Sequence, residues 1–79
     1  MIVEVRVFGG LEKKIPGASY GKPMEIDVPD GTSVKELIDM LNIPPGDVFT
    51  ILVNGVNTPK ENALKQGDRV AFFPPVGGG

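Results

Sequence analysis

The residues with the most chemical promise stand at the end of the chain, where Phe73-Pro74-Pro75-Val76 runs into Gly77-Gly78-Gly79. Two adjacent prolines remove helix as an option and bias the backbone toward extended conformations. Three residues without a Cβ then make a thin, flexible arm that can pass where side chains would clash. What such an arm delivers is its last group, the α-carboxylate of Gly79. A free carboxylate of this kind can be activated by an ATP-using enzyme as an acyl-adenylate, from which a nucleophile displaces AMP. The requirement is an unbranched end able to enter a narrow active site, and this arm meets it. Termini are also commonly disordered, so the reading has to be weighed together with the elements that carry the arm.

Other candidates are weaker. The chain has no cysteine and no histidine. That excludes a disulfide framework, a thiolate nucleophile and a zinc-finger ligand set, and removes the commonest general base. Glu25 and Asp27 sit two apart on one strand face, which reads as a solvated face. Ser33 stands three residues before Glu36, the pattern of a helix cap rather than a nucleophile. Gly9-Gly10 follows a strand, yet no helix and no lysine-serine pair completes a phosphate loop. The expectation is a protein without catalytic residues of its own and with no bound metal. A net charge of −2 argues against nucleic acid as a partner, whose binders carry a clustered basic face. The early charges in Glu4 and Arg6 argue against a secretory segment. No apolar run approaches the roughly 20 residues of a membrane span. A cytoplasmic protein with no membrane partner is expected.

Seventy-nine residues suffice for one domain with one core. The 11 glycines and 8 prolines fall between patterned segments as punctuation, so the chain is folded rather than disordered. Residues 2 to 8 alternate from Val3 onward, a strand with one buried face. A polar, glycine-bearing connection covers 9 to 23, and Met24 to Val28 alternates again before the Pro29-Asp30-Gly31 turn. The period then changes. Val34, Leu37, Ile38 and Leu41 recur at helical spacing behind the Ser33 cap, and Pro44-Pro45 limits the helix to about Asn42. Phe49 to Val53 is a third strand, with Asn54-Gly55 as a tight turn into Val56-Asn57. After an irregular stretch over 60 to 66 and a Gly67-Asp68 turn, Arg69 to Phe73 is the last strand. Mixed order with a single helix gives an α+β class, the helix lying across one face of a sheet of four to five strands. The division is a domain over 1–76 and a glycine tail over 77–79.

Strand parity also locates a docking face. With Ile51, Val53, Val70 and Phe72 turned inward, Leu52, Ala71 and Phe73 turn outward beside the tail. Phe8 at the end of the first strand joins them, and Pro74, Pro75 and Val76 continue the surface. Such an apolar patch on a small domain marks an interaction site.

These features together resemble the MoaD/ThiS family, the ubiquitin-like sulfur carriers of molybdenum-cofactor and thiamine biosynthesis. The resemblance covers nearly the whole chain. It is carried by Val3-Glu4-Val5-Arg6-Val7-Phe8, by Gly31-Thr32-Ser33-Val34-Lys35-Glu36-Leu37 and by Val53-Asn54-Gly55. Most specific is Gly67-Asp68-Arg69-Val70-Ala71-Phe72-Phe73-Pro74-Pro75-Val76 followed by glycines. The resemblance implies a ubiquitin-like β-grasp, with the first and last strands as central, parallel neighbours. It implies that Gly78-Gly79 is the functional pair, threaded with Gly77, and that Gly79 becomes first an acyl-adenylate and then a thiocarboxylate. The implied partners are a ubiquitin-activating-like adenylating enzyme, which uses the ATP, and the large subunit of molybdopterin synthase. The Phe-Pro-Pro-Val segment and the long 9–23 connection are most similar to MoaD, whereas Val76-Gly77-Gly78-Gly79 is a thiamine-carrier form of tail. Carriers that serve tRNA thiolation and ubiquitin-like modifiers joined to lysines share this tail. The acidic balance would steer the domain toward a basic cleft on the activating enzyme.

Overall fold

The first strand, β1 (Ile2–Val7), buries Val3, Val5 and Val7 completely and leaves Ile2 and Arg6 exposed, the alternation its sequence dictates. The structure is a computed structural model and describes residues 1–75. Five further elements follow: β2 (Met24–Asp27), the helix α1 (Val34–Met40), β3 (Thr50–Val53), β4 (Val56–Asn57) and β5 (Arg69–Phe73). They form one five-stranded sheet in the order β2-β1-β5-β3-β4. β1 and β5 lie centrally and run parallel, with Val5 opposite Val70 and Val7 opposite Phe72. The other pairings are antiparallel, including Ile51 opposite Phe72 and Val53 opposite Val70. This is the expected mixed sheet with one helix.

The helix starts where the sequence places it. Ser33 Oγ accepts the Glu36 N–H at 3.1 Å and Glu36 Oε1 accepts the Ser33 N–H at 2.9 Å, so two orphan donors of the first turn are satisfied reciprocally. It stops at Met40, earlier than the expected limit near Asn42. Asn42 takes a left-handed φ of 58°, and the Ile43 N–H reaches back to the Ile38 carbonyl at 3.2 Å. That bond closes the carbonyl end and lets Ile43 turn into the core. Val34, Leu37 and Ile38 join Val3, Val5, Val7, Val70 and Phe72 in a single buried cluster.

Three smaller differences have local causes. The strand β1 ends at Val7 rather than Phe8, because Gly9 and Gly10 both take positive φ and turn the chain away. β2 ends at Asp27 and β3 begins at Thr50, each a residue inside the expected span. The 9–23 connection is not simply polar. A 3₁₀ turn over Leu11–Lys14 presents Leu11 and, just after it, Ile15 to the core, where both are buried. Another 3₁₀ turn, Pro45–Asp47, meets this segment through an exposed Lys14–Asp47 ion pair. The Asn54-Gly55 hairpin has both residues at positive φ, 53° and 81°, as a two-residue turn between twisted strands requires.

Candidate functional site

Because β1 and β5 are parallel, their C-terminal ends emerge at the same edge of the sheet. The residue following Val7 is Phe8, and the one following Phe72 is Phe73. The Phe8 N–H extends the ladder by one bond, to the Phe72 carbonyl at 3.2 Å. Period 2 then puts both rings on the face away from the helix, where they stack with centroids 4.6 Å apart and planes 6° from parallel. Tyr20 meets Phe8 edge-on, at 5.3 Å and 88°. It is brought there by the Gly21 N–H, which donates to the Val7 carbonyl at 2.9 Å.

Around these rings lies an open groove of about 550 Å³, lined by Phe8, Gly9, Tyr20, Phe49, Thr50, Leu52, Phe73, Pro74 and Pro75. The expected inward set Ile51, Val53, Val70 and Phe72 is buried, and Leu52, Ala71 and Phe73 are half-buried on the opposite face. The structure thus brings Phe8, Leu52, Phe73, Pro74 and Pro75 into one surface. Ala71 stands one row away, in a neighbouring depression of about 300 Å³ whose walls include Arg6, Arg69, Asn54 and Gly55. The expectations for Val76, Gly77, Gly78 and Gly79 lie outside the described residues.

Four groove residues lie outside the expected patch, Gly9, Tyr20, Phe49 and Thr50, and the two aromatic ones are the larger omission. Phe49 is 72% exposed, although extending the β3 alternation backward by one residue would have put it inside with Ile51. The strand begins only at Thr50, and the Phe49 N–H is anchored to the Phe73 carbonyl at 2.8 Å. Tyr20, 68% exposed, sits in the loop where no periodicity operates. An aromatic residue in a polar loop was the one signal available for it.

The remaining candidates are accounted for. The Ser33 hydroxyl is engaged by its cap. Those two bonds to Ser33, the backbone one first, hold the Glu36 carboxyl below its ordinary value. Glu25 and Asp27 are exposed on the edge strand. Glu4 faces Arg6 at 3.6 Å, and its Oε2 is enclosed without a hydrogen-bond partner among the described residues. Among those residues no cluster of three carboxylates could hold a metal ion. No described helix is long and apolar enough to cross a membrane. The arrangement offers an open aromatic groove at the root of the C-terminal segment.

Comparison with known proteins agrees with this layout. The sequence model of the ThiS family matches residues 5–79. Protein RnfH of Cereibacter sphaeroides is 33% identical over 73 residues, covering 78% of this chain and 86% of the relative. The molybdopterin synthase sulfur carrier subunit of Haemophilus influenzae is 52% identical over a shorter stretch of 29 residues, 37% of this chain and 36% of the relative. Among solved structures, SAMP1 from Haloferax volcanii superposes with a TM-score of 0.73 at 25% identity, over all of both chains. A complex of subunits 1 and 2 of the molybdopterin-converting factor from Helicobacter pylori contains a chain similar over the full length of both, with a TM-score of 0.62 and 30% identity.

Proposed function

This chain belongs to the ThiS family, within the MoaD/ThiS group of ubiquitin-like sulfur carriers, and from that premise we propose how it works. Gly79 is the reacting residue. An adenylating enzyme joins the Gly79 carboxylate to AMP, using ATP and releasing pyrophosphate. A sulfide-level nucleophile from the activating system then attacks the acyl carbon. A C–S bond forms, the bond to the AMP oxygen breaks, and AMP leaves with the electron pair. The resulting thiocarboxylate donates its sulfur in molybdopterin synthesis, on the large subunit of the synthase, in the cytoplasm. The chain holds no cofactor and supplies no catalytic group; it is carrier and co-substrate, with Gly77 and Gly78 threading the arm.

The observation that carries this reading is the groove at the root of the arm. A partner that grips Phe8, Phe73 and Leu52 holds the domain next to the segment that ends in Gly79. Burial of an aromatic anchor of this kind commonly contributes about 2 kcal/mol or more to an interface. The Helicobacter pylori complex supports a large-subunit partner by analogy.

A second reading is favoured by the likeness to SAMP1: a ubiquitin-like modifier joined through Gly79 to lysines. The intact mass of the protein purified from its own host tells the two apart. The gain that accompanies replacement of one oxygen by sulfur supports the carrier, and isopeptide adducts through Gly79 support the modifier. Unmodified protein alone, with no ATP–pyrophosphate exchange beside a cognate activating enzyme, leaves a non-covalent adaptor and overturns both. A thiocarboxylate form that supports thiamine synthesis or tRNA thiolation, and not molybdopterin formation, would keep the carrier and replace the pathway.

A further inference from the structure

A close approach at the root of the C-terminal segment joins two residues that belong to no common strand pair. Gly9 follows Phe8 with φ +66°, in the left-handed region, and Pro74 follows Phe73. A Cβ built on Gly9 would lie 2.6 Å from Pro74 Cγ and 2.8 Å from its Cδ. Carbon atoms settle at about 3.5–4.0 Å, so any side chain at position 9 must displace the proline ring by roughly 1 Å. Gly10 also has positive φ, +103°, yet a Cβ there meets nothing within 4 Å. The turn accounts for two left-handed residues; only the first lies under the proline.

The surroundings of this contact are fixed on both sides. Phe8 is bonded to the Phe72 carbonyl and stacked on Phe73. A Cβ on Gly21 would stand 3.1 Å from its Cε1, so the ring is backed closely. On the other flank, the Phe73 carbonyl accepts the Phe49 N–H. Pro74 has no N–H to pair and its φ is held near −65° by its ring. With the preceding residue anchored, the seating of that ring decides the direction of the chain into Pro75.

We propose that Gly9 is the seat of Pro74 and thereby a positioning residue for the C-terminal arm, fixing where and in which direction the chain leaves β5. The proposal rests on the carrier reading and adds a residue remote in sequence from the reacting carboxylate. Reacting atoms must approach to about 3–3.5 Å, and a misplacement of about 1 Å can cost about 100-fold. Gly79 lies five residues beyond Pro74. The seat acts at that remove from the reacting carboxylate, so a loss of about tenfold, short of the full 100-fold, is the expected effect.

The test is a double-mutant cycle on the full chain with its adenylating enzyme, read by ATP–pyrophosphate exchange, with kcat and KM for the carrier measured separately. Gly9→Ala should lower kcat about tenfold and raise KM by less than that, because the displaced Pro74 ring lines the groove while Phe8, Leu52 and Phe73 keep their side chains. Pro74→Ala removes the ring and should also lower kcat; in that background Gly9→Ala should add nothing. Gly10→Ala carries the backbone strain without the contact, and should lower thermal stability while leaving kcat within about twofold. Unchanged kcat in Gly9→Ala, or equal losses in both backgrounds, overturns the proposal. Should Gly9→Ala not fold, Pro74→Ala decides, and an unchanged kcat there overturns it. Nuclear Overhauser contacts between the Gly9 α-protons and the Pro74 ring in the free wild-type protein are expected, and their absence overturns the seat whatever the kinetics. If those contacts are present but the wild type is never adenylated, the carrier reading fails, and the positioning role fails with it while the contact stands.

Discussion

Phe72 and Phe73 are adjacent in sequence and opposite in environment, and that contrast gives the strongest test of the docking face. Phe72 is fully buried; truncating a core phenylalanine to alanine costs about 3–5 kcal/mol. Phe73 is half-buried and rests chiefly on Phe8 in the stacked pair. Losing such a pair costs about 0.5–1.5 kcal/mol, and with the buried part of the ring the total for Phe73→Ala comes to about 1–2 kcal/mol. In a domain of this size each kcal/mol moves Tm by about 4–8 °C. Phe73→Ala should therefore remain folded, with an unchanged urea m-value, where Phe72→Ala is largely unfolded at growth temperature. Binding should reverse the ranking of what each variant loses. Calorimetric titration of folded Phe73→Ala with the synthase large subunit should show about 30-fold weaker affinity or worse, the equivalent of about 2 kcal/mol. A stability loss in Phe73→Ala equal to that in Phe72→Ala would mean that the outward ring belongs to the core. Unchanged affinity would mean that the groove is not where the partner docks.

Removing Gly79, or adding one residue after it, should abolish adenylation in a pyrophosphate-exchange assay while Tm stays constant. One residue of extended chain moves the reacting carbonyl by roughly 3.3–3.6 Å, the whole of its approach distance. Asn54→Ala should lower Tm by about 8–16 °C, because the Asn54 side chain joins Asp68 Oδ1 at 2.9 Å and the Arg69 N–H at 3.0 Å. Two such bonds are worth about 2 kcal/mol together. Glu36 has a carboxyl lowered from 4.5 by the Ser33 bonds; its contribution is therefore complete above that pH and is lost as pH falls through the lowered folded value. Glu36→Gln should flatten this part of the acid limb in thermal unfolding followed from about pH 5 down to about pH 3.

How much of this was legible in the sequence depends on which physical signal each residue answers to. Period-2 alternation is a property of the strand itself, so Val3, Val5, Val7, Ile51, Val53, Val70 and Phe72 could be assigned inward and Leu52, Ala71 and Phe73 outward without coordinates. The Ser33–Glu36 cap was equally readable, since its partners are three residues apart and need no tertiary context. Leu11 and Ile15 were not, because a 3₁₀ turn inside a glycine-bearing loop has no repeat to detect. Helix length was overestimated for a related reason. The left-handed Asn42 ends α1 before the prolines could, and asparagine in a helical run announces that only weakly.

Parity could say which face a residue takes, but not which end of the sheet it reaches. That second coordinate comes from the parallel pairing of β1 with β5, a contact between the two ends of the chain that no local pattern encodes. In the observed register Val7 stands opposite Phe72, so the residue after each of these two arrives at the same edge and Phe8 meets Phe73 face to face. An antiparallel pairing of the same two strands would have sent Phe8 to the far end and left Phe73 without its stacking partner. The same register brings the Gly9 turn under Pro74. One topological choice thus builds the aromatic surface and also supports the base of the C-terminal segment. This is why a fold whose chemistry is proposed to lie in its last residue still constrains residues 8, 9, 20 and 49: each acts only through where β5 ends.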